Sequence, residues 1–210
     1  MSHGKFITLE GGEGAGKSTQ ARRLAGALSA MGLPVLLTRE PGGAPGAEHL
    51  RQLLLGGSID WSPQAETLLH FAARAEHVER TIRPALEAGI WVVCDRFADS
   101  TMVYQGDGQG ADRTTIAQLT AMLRACPDLT LVLDVTVETT LARLAQRGAA
   151  ADRYEKLGAP FFATIRTGFR AIATADFQRC VLIDAEPDED TIAAEILHMV
   201  RVRLAPETAR

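Results

Sequence analysis

An α/β fold, with a five-stranded and mostly parallel sheet flanked by helices, is what this sequence predicts, and three observations predict it. Apolar, strand-like runs alternate with helical patterns along all 210 residues. Most of those runs are continuous instead of alternating in period two, which is how strands covered on both faces read. The first run leads into Gly11-Gly12-Glu13-Gly14-Ala15-Gly16-Lys17-Ser18, which matches the phosphate-binding pattern G-x-x-x-x-G-K-[ST] at every fixed position. A hydrophobic content of 46% supplies one core. The expectation is a P-loop NTPase-type, three-layer single domain over residues 1–210, with a small lid at about 147–158.

The first strand is Phe6-Ile7-Thr8-Leu9, and the amphipathic pattern running to Met31 is the first helix, at 17–31. Between them, the glycines let the backbone curl so that its N–H groups form a nest for anionic oxygens, and the helix start adds a positive dipole end. Lys17 can then reach the β- and γ-phosphates, while the Ser18 hydroxyl can ligate Mg²⁺. Lysine occurs only at positions 5, 17 and 156, so its presence at the required place is informative. These residues predict binding of a nucleoside triphosphate such as ATP, through Gly11, Gly12, Glu13, Gly14, Ala15, Gly16, Lys17, Ser18 and Thr19.

The second strand, Val35–Thr38, ends at Arg39, followed by Glu40-Pro41-Gly42-Gly43. Such a turn lets backbone approach an anion that Arg39 grips, although read alone it is simply a turn. Helical patterns follow at 46–55 and 64–88. Within the longer one, Phe71 and Arg74 share a face, so an aromatic ring and a guanidinium are available to stack on a base and bond its edge.

The third strand, Ile90–Cys94, ends in Asp95, which places a carboxylate beside nucleotide-bound Mg²⁺, and Arg96 adjoins it. The fourth strand, Leu129–Val135, carries Asp134, which competes for the same acidic role. Helices at 114–125, 137–147, 159–178 and 189–204 and a fifth strand, Cys180–Ile183, complete the alternation. Parallel strands with crossover helices put ligands at the strands' carboxyl ends. Gly106–Gly110 and Gly148–Ala151 read as loops. Arg143, Arg147 and Arg153 surround the second of these, a place for a lid that brings positive charge over phosphates.

Other classes are disfavoured. A net charge of −4 argues against a protein that coats nucleic acid. No apolar run approaches the roughly 20 residues of a membrane span, and Met-Ser-His-Gly-Lys leads straight into a strand, so a cytoplasmic protein is expected. Cys94, Cys126 and Cys180 are odd in number and widely spaced, and with the five histidines show no zinc-ligand spacing. Asp107-Gly108-Gln109-Gly110 mimics the D-x-x-G element of a GTP-binding switch, but no N-K-x-D signature accompanies it. Intact Lys17, Ser18, Asp95 and Arg96 argue against a non-catalytic nucleotide-binding module.

Taken together, Thr8-Leu9-Glu10 with the Gly11–Thr19 loop, Thr38-Arg39-Glu40-Pro41-Gly42-Gly43, Phe71-Ala72-Ala73-Arg74, and Asp95-Arg96-Phe97 followed by Ser100-Thr101 and Tyr104-Gln105 resemble the bacterial thymidylate kinase family over about residues 5–200. The resemblance implies a nucleoside-monophosphate kinase core, usually a homodimer, that moves the γ-phosphoryl of ATP to dTMP to give dTDP. It implies Phe71 against thymine and Arg74 at its O4 edge. Ser100, Thr101 and Gln105 would line the base, and Tyr104 would lie beneath the deoxyribose. Glu13 would meet the 3′-hydroxyl, Arg39 and Arg96 would hold the acceptor phosphate, and Asp95 would act through the Mg²⁺ shell.

The residue after Glu13 is Gly14, so the loop offers no catalytic arginine, and the resemblance assigns that role to Arg147 and Arg153. Some members carry the stacking aromatic four residues before the arginine, a position occupied here by His70. A kinase for another nucleotide, or for shikimate, is the nearest alternative.

Overall fold

The computed structural model describes residues 3–56, 59–147 and 157–204. Its centre is one five-stranded sheet in the order β2-β3-β1-β4-β5. The strands are β1 (Phe6–Gly11), β2 (Val35–Arg39), β3 (Trp91–Asp95), β4 (Leu129–Asp134) and β5 (Cys180–Asp184). All four pairings are parallel, with Leu9 opposite Asp95 on one side of β1 and opposite Leu131 on the other.

The sheet separates two packing layers. Ile7 and Leu9 of β1 face the layer of α1 (Lys17–Ala30) and α9 (Glu189–Leu204), where Leu24, Leu28, Ile192, Ile196 and Val200 are buried. The opposite face packs Phe6, Val92 and Cys94 against Ile82 and Phe97. Farther along that side, Val132 meets Val103, Tyr104, Phe161 and Phe169. Each such side chain, fully buried, stabilises the fold by about 1.5–3 kcal/mol. Thr8 is also buried, and its hydroxyl is matched to that of Thr130 at 2.7 Å.

The remaining helices are α2 (Pro45–Leu55), α3 (Pro63–His77), α4 (Arg83–Glu87), α5 (Ala98–Thr101), α6 (Arg113–Met122), α7 (Val137–Arg147) and α8 (Gly158–Ala175). The single helix expected over 64–88 arrives in three parts, because α3 passes through wider π-type turns at Val78–Ile82 before α4. Pro84 has no N–H to continue the ordinary ladder, which accounts for the change of pitch there.

The loop expected over Gly106–Gly110 is partly helical instead, since π-type turns run from Met102 to Gly108. Glycine serves close packing at this point: a Cβ on Gly108 would lie 2.6 Å from the Phe161 ring. Gly148–Ala151 lies outside the described residues. No helix among the described residues is long and apolar enough to cross a membrane.

Candidate active site

From β1 the chain steps over the β3 position to β2, then returns through β3 and crosses to β4. The strand order therefore reverses beside β1, and in such sheets ligands bind outside the carboxyl ends at that reversal. A cavity of about 270 Å³ has the ends of β2 and β3 and the loop after β1 in its wall.

Gly11 ends β1 at φ +135°, and a Cβ there would come within 2.4 Å of the Leu133 carbonyl oxygen. Glycine is thus required where the loop leaves the sheet. Ala15 is buried in the core, so only its backbone is available to a ligand. Gly16 stands at the left-handed N-cap of α1. Lys17 is buried, and its Nζ donates to the Gly12 carbonyl at 2.6 Å. Burial, followed by repulsion from Arg96, lowers its pKa to about 8.

The Ser18 hydroxyl donates to the Asp95 carboxylate. The other oxygen of that carboxylate, Oδ1, is buried without a hydrogen-bond partner. A hydroxyl and a carboxylate with spare acceptor capacity, both oxygen donors, suit Mg²⁺ and its water shell. Asp134, the competing acid, is instead held by Arg166 at 2.8 Å and by Arg170 at 2.6 Å.

Arg96 adopts φ +70°, with its N–H bound to the Leu9 carbonyl at 2.9 Å. Its guanidinium donates to Glu13 at 2.5 Å and to Ser100 and Tyr104 at 3.2 Å each, and it stacks 4.9 Å from the Tyr104 ring centroid. Buried Glu10 holds this turn, accepting from the Phe97 N–H at 2.7 Å and the Ser100 hydroxyl at 2.6 Å. Burial, then the Asp99 charge, pushes the Glu10 pKa up to about 8, against the pull of Ser100, Arg96 and the Phe97 N–H.

Thr101, Tyr104 and Gln105 line the same cavity as Arg39 and Arg74. Gln105 donates its amide to buried Glu66 at 2.9 Å. Arg39 is about half exposed and pairs with Glu48 at 3.0 Å. Arg74 is buried, and its guanidinium lies 4.8 Å from the Phe71 ring centroid.

Phe71 itself corrects the sequence expectation. Successive helical residues differ by about 100°, so Phe71 turns into the core while His70 lines the cavity. Arg143 also departs from the expected lid role. It donates to the Gly14 carbonyl at 3.1 Å and the Ala185 carbonyl at 2.9 Å, bracing the loop from below. Arg147 closes α7, but its side chain and the whole of Arg153 lie outside the described residues, as does most of the 147–158 segment.

Sequence reasoning missed Arg51, which lines the cavity and donates to the Pro41 carbonyl at 2.6 Å. It also gave no role to Glu40, which is buried in the cavity wall against Arg74, or to His77, which is buried behind Glu40. Glu40 lies within the Thr38–Gly43 motif, but no local pattern marks Arg51 or His77.

A phosphate nest, a buried lysine and a strand-end carboxylate on a parallel sheet of this order define a P-loop protein with a nucleotide-kinase fold. More specifically, the chain belongs to the thymidylate kinase family, whose model matches residues 9–196. It is 51% identical to the thymidylate kinase of Caulobacter vibrioides, covering 97% of this chain and 99% of that one. It is also 51% identical to the thymidylate kinase of Gluconobacter oxydans, covering 96% of each. The crystal structure of thymidylate kinase from Ehrlichia chaffeensis superposes with a TM-score of 0.77 at 33% identity, covering 94% of this chain and 99% of that one.

Proposed function

We infer that the protein transfers the γ-phosphoryl group of ATP to dTMP, forming dTDP and ADP. The observation that carries this reading is a single cavity lined both by Lys17, Ser18 and Asp95 and by His70, Arg74, Thr101, Tyr104 and Gln105. Phosphate chemistry and a base-sized polar recess share one space.

Phosphoryl transfer needs positioning and charge neutralisation more than covalent help. The Gly11–Thr19 backbone cradles the triphosphate, with Lys17 at the β- and γ-oxygens. Ser18 directly, and Asp95 through water, would hold Mg²⁺, and the ion would supply charge neutralisation for the phosphates. Arg39, Arg51 and Arg96 hold the acceptor phosphate, so the two anionic substrates can approach. Glu13 bonds the 3′-hydroxyl and Tyr104 underlies the deoxyribose. His70 stacks on the thymine, and Arg74, Ser100, Thr101 and Gln105 address its edges. The 147–158 segment acts as a lid, bringing Arg147 and Arg153 over the transferring group and excluding water.

The working unit is proposed to be a cytoplasmic homodimer. The homodimer follows from the family resemblance, and Leu53, Leu68 and Met122 on α2, α3 and α6 are among the exposed large apolar side chains a second copy would cover.

An ADP-release assay with ATP·Mg²⁺ against dTMP, dUMP, dCMP, dGMP and shikimate tests the assignment. The highest kcat/KM is expected with dTMP, and no ADP above background with dTMP would overturn it. His70→Ala is expected to raise the KM for dTMP about two- to tenfold, because aromatic stacking contributes about 0.5–1.5 kcal/mol. His70→Phe should preserve it, and an unchanged KM in the alanine variant removes His70 from the base site.

A further inference from the structure

We propose that Glu40 is a positioning residue for acceptor selection, its buried carboxylate holding Arg74 so that one guanidinium nitrogen is left for the base. The proposal rests on the reading of Arg74 given above and adds the layer behind it.

Glu40 follows Arg39 in the loop after β2, and its backbone N–H is tied to the Asp95 carbonyl at 2.9 Å. Its side chain is 3% exposed and that of Arg74 is 2% exposed, so neither charge is solvated. One carboxylate oxygen accepts Arg74 Nε at 2.6 Å. The other lies 3.0 Å from Nδ1 of fully buried His77, whose Nε2 meets the Thr38 hydroxyl at 2.8 Å. A carboxylate can only accept, so His77 donates from Nδ1 to Glu40, and its Nε2 shares a hydrogen bond with the Thr38 hydroxyl. Both Glu40 oxygens and both His77 nitrogens are thereby committed.

Arg74 is committed on the far side as well. Nη2 donates to the Phe97 carbonyl at 3.0 Å and to the Thr101 hydroxyl at 3.1 Å. Nη1 is buried and has no hydrogen-bond partner, while Arg74 lines the cavity. Buried donors in folded proteins are almost always matched, so Nη1 marks a place for a ligand acceptor.

Glu40 also decides which acceptor. It cancels the guanidinium charge at contact distance, leaving directed N–H bonds without net attraction for an anion. That suits a neutral carbonyl oxygen on a base and leaves phosphate to Arg39, Arg51 and Arg96. Gly43 belongs to the same construction, since at φ +83° a Cβ would sit 2.3 Å from His77 Nε2. The Thr38–Gly43 stretch is therefore the foundation of the base-reading arginine as well as a turn.

The test compares Glu40→Gln, Glu40→Asp, His77→Leu and Arg74→Ala by steady-state kinetics with dTMP, dCMP and ATP, alongside thermal unfolding. Glu40→Gln keeps the shape but removes the charge and turns a donor toward donors. Its KM for dTMP is expected to rise about tenfold or more, the effect of one charged hydrogen bond, with kcat and the KM for ATP nearly unchanged. The preference for dTMP over dCMP should fall with it, and Glu40→Asp should recover part of both. His77→Leu should show the same split more weakly, and it decides the matter if Glu40→Gln does not fold.

Equal losses in kcat and in both KM values would mean a merely structural role and overturn the proposal. An effect in Arg74→Ala with none in Glu40→Gln and His77→Leu also overturns it, while the reading of Arg74 stands. An unchanged dTMP KM in Arg74→Ala removes that reading and the proposal together.

Discussion

The Lys17 ammonium is buried close to Arg96 and rests on the Gly12 carbonyl. Its pKa, lowered to about 8, means the charge is lost on the alkaline side of neutrality. Triphosphate oxygens favour the ammonium, so the complex must hold its proton to higher pH than the free protein does. The sign follows. Below the free-protein pKa both states are protonated and ATP binding moves no proton. Above it, binding takes one up, and affinity falls by up to about tenfold per pH unit until the complex titrates too. Calorimetry in buffers of different ionisation enthalpy should therefore show proton uptake near zero at pH ~7 and rising toward one at pH ~9. Lys17→Arg, whose guanidinium does not titrate in this range, should abolish the rise. Glu10 is also held near 8 and remains in that variant, so the comparison separates the two groups. Uptake that stays flat in the unsubstituted protein would contradict the lowered pKa of Lys17 or its contact with the triphosphate.

At the scale of elements, α3 gives His70 and Arg74 to the cavity and buries Glu66 and His77 on the same stripe. Glu66, His70, Arg74 and His77 recur at spacings of four, four and three, which places four buried polar side chains along one stripe. Pro63 at the first helical position and the Ser62 hydroxyl, which accepts from the Ala65 N–H at 3.3 Å, define where α3 begins. Ser62→Ala is expected to cost about 0.5–1 kcal/mol at this long bond. The melting temperature should then drop by about 1–4 °C, given about 2–4 °C per kcal/mol for a chain of this size. The KM for dTMP should be unaffected, and a melting temperature unchanged within error would mean the cap contributes nothing. The central strands β1, β3 and β4 were legible because burial on both faces writes them as apolar runs, while the edge strands β2 and β5 kept an apolar run although only partly buried. The phosphate loop was legible because its chemistry is packed into eight consecutive residues. Arg74 was legible through its motif, but Glu40, 34 residues away, read as part of a turn, since its partner is supplied only by tertiary packing. His70 and Phe71 are adjacent in the chain, and only the rotation of α3 against the sheet decides which one meets the cavity. Gly106–Gly110 read as a loop because of its glycines, but Gly108 makes room for Phe161 of α8, a contact no local pattern records.

For the whole molecule, a net charge of −4 coexists with a cavity that gathers Lys17, Arg39, Arg51, Arg74 and Arg96 against Glu13, Glu40 and Asp95. Cationic side chains drawn from α1, α2, α3 and the ends of β2 and β3 are thus held together by the fold with their mutual repulsion only partly offset. Anionic substrates relieve that repulsion, so binding should stabilise the native state as a unit. By mass action, dTMP at about 100 times its Kd adds about 2.7 kcal/mol. For a chain of this size that raises the melting temperature by about 5–11 °C. A non-hydrolysable ATP analogue with Mg²⁺ should give its own shift. If the phosphate loop and the acceptor recess are separate halves of one cleft, the two shifts together should at least equal their sum, because each ligand neutralises different cations. If dTMP instead occupies the phosphate loop, the ligands compete and the joint shift exceeds the larger single one by no more than about 1–2 °C. Differential scanning calorimetry with each ligand alone and both together distinguishes the two arrangements, and competition would break the proposed pairing of donor and acceptor sites while leaving the fold and the family membership intact.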